Sequence, residues 1–320
     1  MLAYVIRRLL YGVAIVFAVV GLLFVLFFQV ASPDDIAKRA LGDKALPEAI
    51  EQWKASHGYD RPLWPWQDPG NNLLFHHYRS MLSFDFGNSD ADDVPIARRL
   101  REGAGPSLAL TIPIFVLTMS VTILLGLFVA FFRETYIDRV GVFLCVLGMS
   151  ISILLYIVGG QFLIGKILRW FPISGFDADP AVIFRFLALP VLLGVISGIG
   201  SDVRFYRTVF VEETTRDYVR TARAKGAGEI RVMIRHVLRN SLIPILTRVV
   251  LAIPFLFMGS LLLESFFGIP GLGSLTIDAV HQNDFATLRV MVFVTSLLFV
   301  VGQVATDVAY ALVDPRVRLE

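Results

Sequence analysis

The chain has 320 residues, 56% of them hydrophobic and 18% charged, with a formal net charge of +2. That balance excludes an ordinary soluble domain, and so small a net charge leaves bulk charge uninformative about partners. The single cysteine, Cys145, excludes an intrachain disulfide framework and a multi-cysteine metal site; within its apolar run it reads as a small buried hydrophobe.

Leu9 to Val30 is an uncharged run of about 22 residues, roughly 33 Å as a helix, enough to cross a bilayer. Arg7 and Arg8 precede it, but the run is too long for a cleaved leader, so it reads as a retained first span. Residues 31–106 form a long segment of mixed charge. In it Pro47 to Lys54 predicts a short helix ended by Gly58, and Trp64-Pro65-Trp66 reads as an interface or a rigid turn. The segment reads as a cap on the bundle mouth, or as the place where a partner delivers cargo. His57, His76 and His77 read as solvated loop histidines, since adjacent histidines share no face for a metal.

Five further spans are predicted at Leu108–Phe132, Val140–Ile164, Ile183–Ser201, Leu242–Leu263 and Leu288–Tyr310. Pro113, Pro190 and Pro254 do not veto them, because neighbouring helices satisfy the freed carbonyls. Lys and Arg concentrate at Arg7 and Arg8, Arg133 and Arg139, Arg204 to Arg239, and Arg316 and Arg318, while Ser265 to Thr287 holds none. The expected fold is an all-α polytopic membrane protein of six spans with both termini inside. Its parts are residues 1–30, an outside segment 31–106, and a core 107–320 carrying an inside loop 204–241.

Charged residues within spans need partners or water. Arg248 and Asp307 lie at similar depth and form a candidate ion pair. Glu264 and Arg289 sit at outer span ends, where they are expected to reach water.

The inside loop is the most structured of the connections. Asp217, Tyr218, Arg220, Thr221, Ala222, Arg223, Ala224, Lys225, Gly226 and Ala227 combine charge with small residues, and Gly226 and Gly228 allow a sharp break. Ile230, Met233, Ile234, Val237 and Leu238 follow one helical face, and Arg231, Arg235 and Arg239 another. Headgroup anchoring explains the arginines but not the small residues, which suit close approach by another protein. No aromatic residues interleave these arginines, which argues against nucleic acid.

These residues resemble the cytoplasmic EAA loop of ABC importer permeases, and most closely the dipeptide, oligopeptide and nickel permease group. The likeness extends to Arg7-Arg8-Leu9-Leu10, Gly58 to Leu63, Phe84 to Gly87, Arg235 to Pro244, Glu264 to Gly273 and Asp314-Pro315-Arg316. Arg220-Thr221-Ala222 stand where the general motif has Glu-Ala-Ala, and Arg239 where it has proline. Only Ala222 and Gly226 match literally, so the loop resembles the peptide group's own version. The resemblance implies a bacterial inner-membrane permease in which residues 217–227 dock an ATPase and the helix 230–238 relays motion to the fifth span. It further implies two ATPase subunits, a second permease and a periplasmic or lipid-anchored binding protein. No cofactor is expected in this chain, ATP and Mg²⁺ belonging to the ATPase subunits. The cargo would be di- or oligopeptides, or alternatively nickel or a metal chelate.

Gly160 to Ile167 has the spacing of a phosphate loop, but Ile167 supplies no hydroxyl for Mg²⁺ and the stretch ends a span. An ion-coupled secondary transporter would need carboxylates in mid-span, and the second and third spans have none. An intramembrane enzyme would need a polar constellation at depth, which the sequence does not display.

Overall fold

The apolar runs fold as helices because a bilayer-exposed backbone must bond to itself. In the computed structural model, residues 2–29, 32–42, 44–179 and 181–313 are described, with side chains from 6 to 307. Val30, Ala31, Arg316, Arg318 and the Asp314-Pro315-Arg316 likeness lie outside them.

The helices in order are α1 (Leu2–Phe24), α2 (Pro33–Leu41), α3 (Pro47–His57), α4 (Leu73–Ser83), α5 (Ile96–Phe131), α6 (Tyr136–Ser150) and α7 (Ile153–Gly160). They continue with α8 (Ile183–Thr214), α9 (Asp217–Ala224), α10 (Glu229–Val232), α11 (Leu242–Met258), α12 (Leu261–Phe267), α13 (Leu272–His281) and α14 (Phe285–Val313). π-Helical turns extend α1 over Val25–Gln29, α7 over Gln161–Ile167 and α10 over Met233–Leu238. The phosphate-loop lookalike is therefore helical backbone, not a loop.

Helices α1, α5, α8 and α14 are each long and apolar enough to cross a membrane. Two bent pairs raise the candidate spans from 4 to as many as 6: α6 with Ile153–Ile167 at 86°, and Glu229–Leu238 with α11 at 51°. The predicted third span is thus not one straight helix. Ser150 Oγ bonds back to the Val146 carbonyl at 2.8 Å, and Ser152 starts α7 by accepting from the Leu154 N–H at 3.3 Å. Tyr156 Oη then ties the two arms by donating to the Gly148 carbonyl at 3.0 Å. The predicted fifth span stops at Met258, because Gly259 takes φ +71°. Helix α5 begins a dozen residues before the predicted second span, running through Gly103-Ala104-Gly105-Pro106. At 32 residues, α8 is about 48 Å long. That exceeds the ~30 Å hydrocarbon core, so its last turns carry polar residues beyond it.

The chain packs as two compact units: Met1–Ser107 with Phe257–Leu261 and Pro270–Glu320, and Leu108–Leu256 with Leu262–Ile269. In the first, Val20, Leu23 and Phe27 of the first span bury against Val290 and Phe293 of α14 and Ile96 of α5. The predicted helix at Pro47 is found as α3 and stops at Gly58, φ +70°. Trp64 and Trp66 stack with centroids 4.8 Å apart.

In the second unit, Leu110, Leu189, Leu193, Leu263 and Phe267 form one buried cluster. Helix α6 packs on α8 with no room to spare: a Cβ on Gly200 would meet the Cys145 carbonyl at 2.6 Å. The same pair is joined by Asp138 and Arg207, whose Nε–Oδ1 and Nη2–Oδ2 distances are 2.6 and 2.7 Å.

Candidate functional site

Helix α8 ends when the Thr215 N–H turns back to the Glu212 carbonyl at 3.1 Å. Arg216 is extended, and α9 starts with Asp217 in its first turn, a favourable charge for an N-terminus. It stops at Gly226, whose φ of +80° costs glycine nothing. There the Gly226 N–H reaches the Arg223 carbonyl at 2.9 Å and the Ala227 N–H reaches Ala222 at 3.1 Å. Space is not the reason for that glycine, since an added Cβ would touch nothing within 4 Å.

Below the loop lies a second buried cluster. Val219 and Ala222 of α9 pack with Val232, Met233 and Val237, with Tyr206 and Phe210 of α8, and with Ile245 of α11. Each large aliphatic side chain buried here contributes about 1.5–3 kcal/mol. The cluster makes α9 a part of the helical body.

The ten predicted loop residues sort into three groups. Asp217, Arg220, Thr221 and Ala224, spaced i, i+3, i+4 and i+7, present one exposed face that Lys225 and Gly226 continue. Tyr218 from within and Arg223 at the surface fasten the loop. Tyr218 Oη donates to Glu213, and burial with that bond pushes the hydroxyl up to about 12. Arg223 Nε and Nη2 bridge to Glu229 at 2.8 and 3.0 Å, joining α9 to α10. Ala222 and Ala227 pack inward. Ala222 is only 7% exposed, so it does not offer the contact surface that its small size suggested.

The predicted relay face is also redrawn. Met233 and Val237 are buried and Leu238 packs against the cluster, but Ile230 and Ile234 are 68% and 57% exposed, and Val232 takes the inward place. π-Helical winding over Met233–Leu238 shifts the positions away from the ordinary helical spacing. The segment meets α11 at Ser241, whose hydroxyl donates to the Val237 carbonyl at 2.9 Å.

Arg248 and Asp307, the expected ion pair, each take another partner. Arg248 Nη2 instead bonds Asp202 Oδ1 of α8 at 2.8 Å, and Asp307 lies 3.2 Å from Arg8 Nη1. Each charge takes an opposite charge on the helix packed beside it. Hydropathy gives the depth of a charge but not the direction in which it points.

Neither Arg289, in the first unit, nor Glu264, in the second, reaches water as the sequence predicts: they are 7% and 0% exposed. The Arg289 guanidinium donates to Tyr59 Oη and lies 4.4 Å from the centre of the Phe28 ring. Tyr59 donates to Asp90 Oδ1 at 3.1 Å, and Asp90 Oδ2 accepts from the Ala286 N–H at 2.7 Å. His77 is buried rather than solvated. Its Nε2 lies 3.1 Å from the Val20 carbonyl, an acceptor only, so Nε2 carries the hydrogen. Burial, aided by the Arg289 charge, holds its pKa down at about 3. No cluster of three or more His, Cys, Asp or Glu suited to a metal occurs among the described residues.

The family described as binding-protein-dependent transport system inner membrane component matches residues 122–319, which include the whole loop. The corresponding N-terminal membrane component matches residues 1–67. The chain is 32% identical over 321 residues to the glutathione transport system permease protein GsiC of Shigella flexneri serotype 5b, covering 99% of both chains. It is 32% identical over 327 residues to the protein of that name in Salmonella typhi, again covering 99% of each. It is 30% identical over 329 residues to a protein of Brucella abortus named for a peptide transport system permease, covering 100% of both.

Proposed function

The chain belongs to the family of binding-protein-dependent transport system inner membrane components, the permeases of ABC importers, and from that premise we propose that it is half of a peptide-import pathway driven through α9. The relatives named for glutathione and peptide transport support a peptide-sized cargo with amide groups and charged termini. It sits in a bacterial inner membrane, with both termini inside and residues 31–106 outside. The outside segment is where a binding protein, periplasmic or lipid-anchored, hands over its cargo. A second, homologous permease completes the pathway. Two ATPase subunits hold the ATP and Mg²⁺, and this chain contributes none of the hydrolysis chemistry.

The observation that carries the reading is the two-sidedness of α9. One face, Asp217, Arg220, Thr221 and Ala224, is exposed, and the other is embedded among residues of α8 and α11. ATP-driven closure of the ATPase pair moves the exposed face. Packing resists local deformation, so the displacement passes into the two long helices. Tyr218–Glu213 and Arg223–Glu229 keep the lever stiff at its two ends. Surface ion pairs add little stability, so the second bond acts by fixing geometry.

The test uses the complete transporter in proteoliposomes. Arg220→Glu with Ala224→Trp changes only the exposed face. Import of a radiolabelled dipeptide is expected to fall at least about tenfold, ~1.4 kcal/mol of coupling, with the permease still inserted. Uptake at the parent rate would remove α9 as the energy input.

A further inference from the structure

Asp202 and Arg248 share a cavity of about 140 Å³ with Phe115 and Thr118 of α5, Tyr206 of α8 and Ala252 of α11. The Arg248 guanidinium also lies 4.6 Å from the centre of the Phe205 ring. Neither charged side chain is sealed: Asp202 is 30% and Arg248 44% exposed.

Thr118 supplies an independent observation. A hydroxyl in a helix ordinarily bonds a carbonyl one turn back. Ser120 and Thr122 of the same helix do so, each at 2.7 Å, to Val116 and Thr118. Thr118 Oγ1 does not. It is the buried side-chain polar atom without a partner among the described residues, in a residue 9% exposed. Leaving such a group unpaired costs about 1–3 kcal/mol.

Three surroundings are conceivable for this open polar pocket. Lipid tails would have to solvate Asp202, at the inner edge of the predicted fourth span, and Arg248, about two turns into the fifth, at a cost below the ~2.5–3.5 kcal/mol of a lone charge at the membrane centre. An apolar neighbouring subunit would strip water from both ions, at several kcal/mol apiece. Water and a polar cargo carry neither cost.

We propose that this pocket forms part of the wall of the translocation pathway and is a station for the main chain of a passing peptide. Arg248 takes a carboxylate or carbonyl oxygen and Asp202 an ammonium or amide N–H. The cavity has room for roughly four or five waters at ~30 Å³ each, or one small residue. It therefore holds a piece of the cargo at a time. Main-chain groups are common to all peptides, so such a station passes different side chains alike. The proposal rests on the peptide-import reading above.

The experiment uses the whole transporter in proteoliposomes with a Cys145→Ser parent, since Cys145 is the only native cysteine. Ala252→Cys and, separately, Phe115→Cys are treated with a charged, membrane-impermeant methanethiosulfonate. At least one is expected to label in either the nucleotide-free or the ATP-bound state, and alanyl-alanine delivered by the binding protein is expected to slow labelling severalfold. Arg248→Gln is expected to lower import while binding-protein-stimulated ATP hydrolysis persists. Labelling of neither site by the charged reagent, labelling only by a lipid-soluble maleimide, or labelling indifferent to peptide would overturn the proposal. Each of these outcomes is read while the Cys145→Ser parent imports the dipeptide, so it leaves the import reading standing. Failure of the parent to import any peptide is instead the failure of that reading.

Discussion

At the scale of single residues, Ala222 and Gly226 have the same small size and opposite reasons for it. Ala222 is small because it faces Val219, Val232 and Val237 inside a packed cluster. Ala222→Leu forces extra methylenes into that cluster, at about 1–3 kcal/mol, and is expected to lower the yield of monodisperse permease in size-exclusion chromatography. Gly226 is small because of its φ of +80°. Gly226→Ala is expected to cost about 1–2 kcal/mol of backbone strain, confined to the loop and visible as faster amide exchange at 223–228. Equal behaviour of the two variants would refute this assignment. The sequence displayed both residues as small and could not separate them, because burial of α9 depends on α8 and α11, far away in the chain.

His77 carries a pH signature. Its pKa in the fold is about 3 against 6.5 for the free side chain. Between those values the unfolded chain holds more protons, so stability is full above about pH 6.5 and falls as the pH drops, by up to ~1.4 kcal/mol per unit. Burial raises the Asp90 pKa, which acts in the opposite direction. The clean measurement is therefore a difference. His77→Gln keeps a donor for the Val20 carbonyl and removes the titration. The advantage in thermal midpoint of the parent over this variant is expected to shrink from pH 7.5 to pH 5. A constant difference would mean that His77 is not held neutral by burial.

At the scale of elements, the sequence located the apolar runs but not their interruptions. Val140 to Ile164 is apolar apart from Ser150, Ser152 and Gln161, yet the helix breaks at Ile151, where Ser152 accepts from the Leu154 N–H and opens the next helix. Ser152 is the signal in the sequence, though serine inside a span is common enough to pass unnoticed. The contact of α6 with α8 has no counterpart in hydropathy at all. It depends on Gly200, where a Cβ would stand 2.6 Å from the Cys145 carbonyl and 3.0 Å from Met149 Cγ. The carbonyl is backbone and cannot swing away. Gly200→Ala is expected to push α6 off α8, strain the Asp138–Arg207 bridge and destabilise by about 1–3 kcal/mol, read as a lower thermal midpoint in detergent. Gly159, whose Cβ would meet nothing within 4 Å, is the matched control, and Gly159→Ala is expected to be neutral or nearly so.

At the scale of the whole molecule, the number of crossings turns on the bent pairs. The 86° turn between α6 and Ile153–Ile167 suits either a broken span or a re-entrant loop. The two differ in where the connection 168–179 lies. A broken span puts it on the face opposite Glu134; a re-entrant loop returns it to the same face. Lysine and arginine counts favour the crossing, since Arg133 and Arg139 share a side with the basic loop 204–239 only if the pair crosses before α8. The amide of Gln161 donates at 2.9 Å to both the Ile173 and Phe266 carbonyls and holds the connection beside α12 in either arrangement. With Cys145→Ser as parent, Ser174→Cys is expected to react with an impermeant maleimide added outside intact spheroplasts. Glu134→Cys and Lys225→Cys are expected to react only after the membrane is opened. Ser174 and Glu134 reacting from the same side would replace six crossings by fewer. It would also reverse α8, placing α9 on the side without ATP.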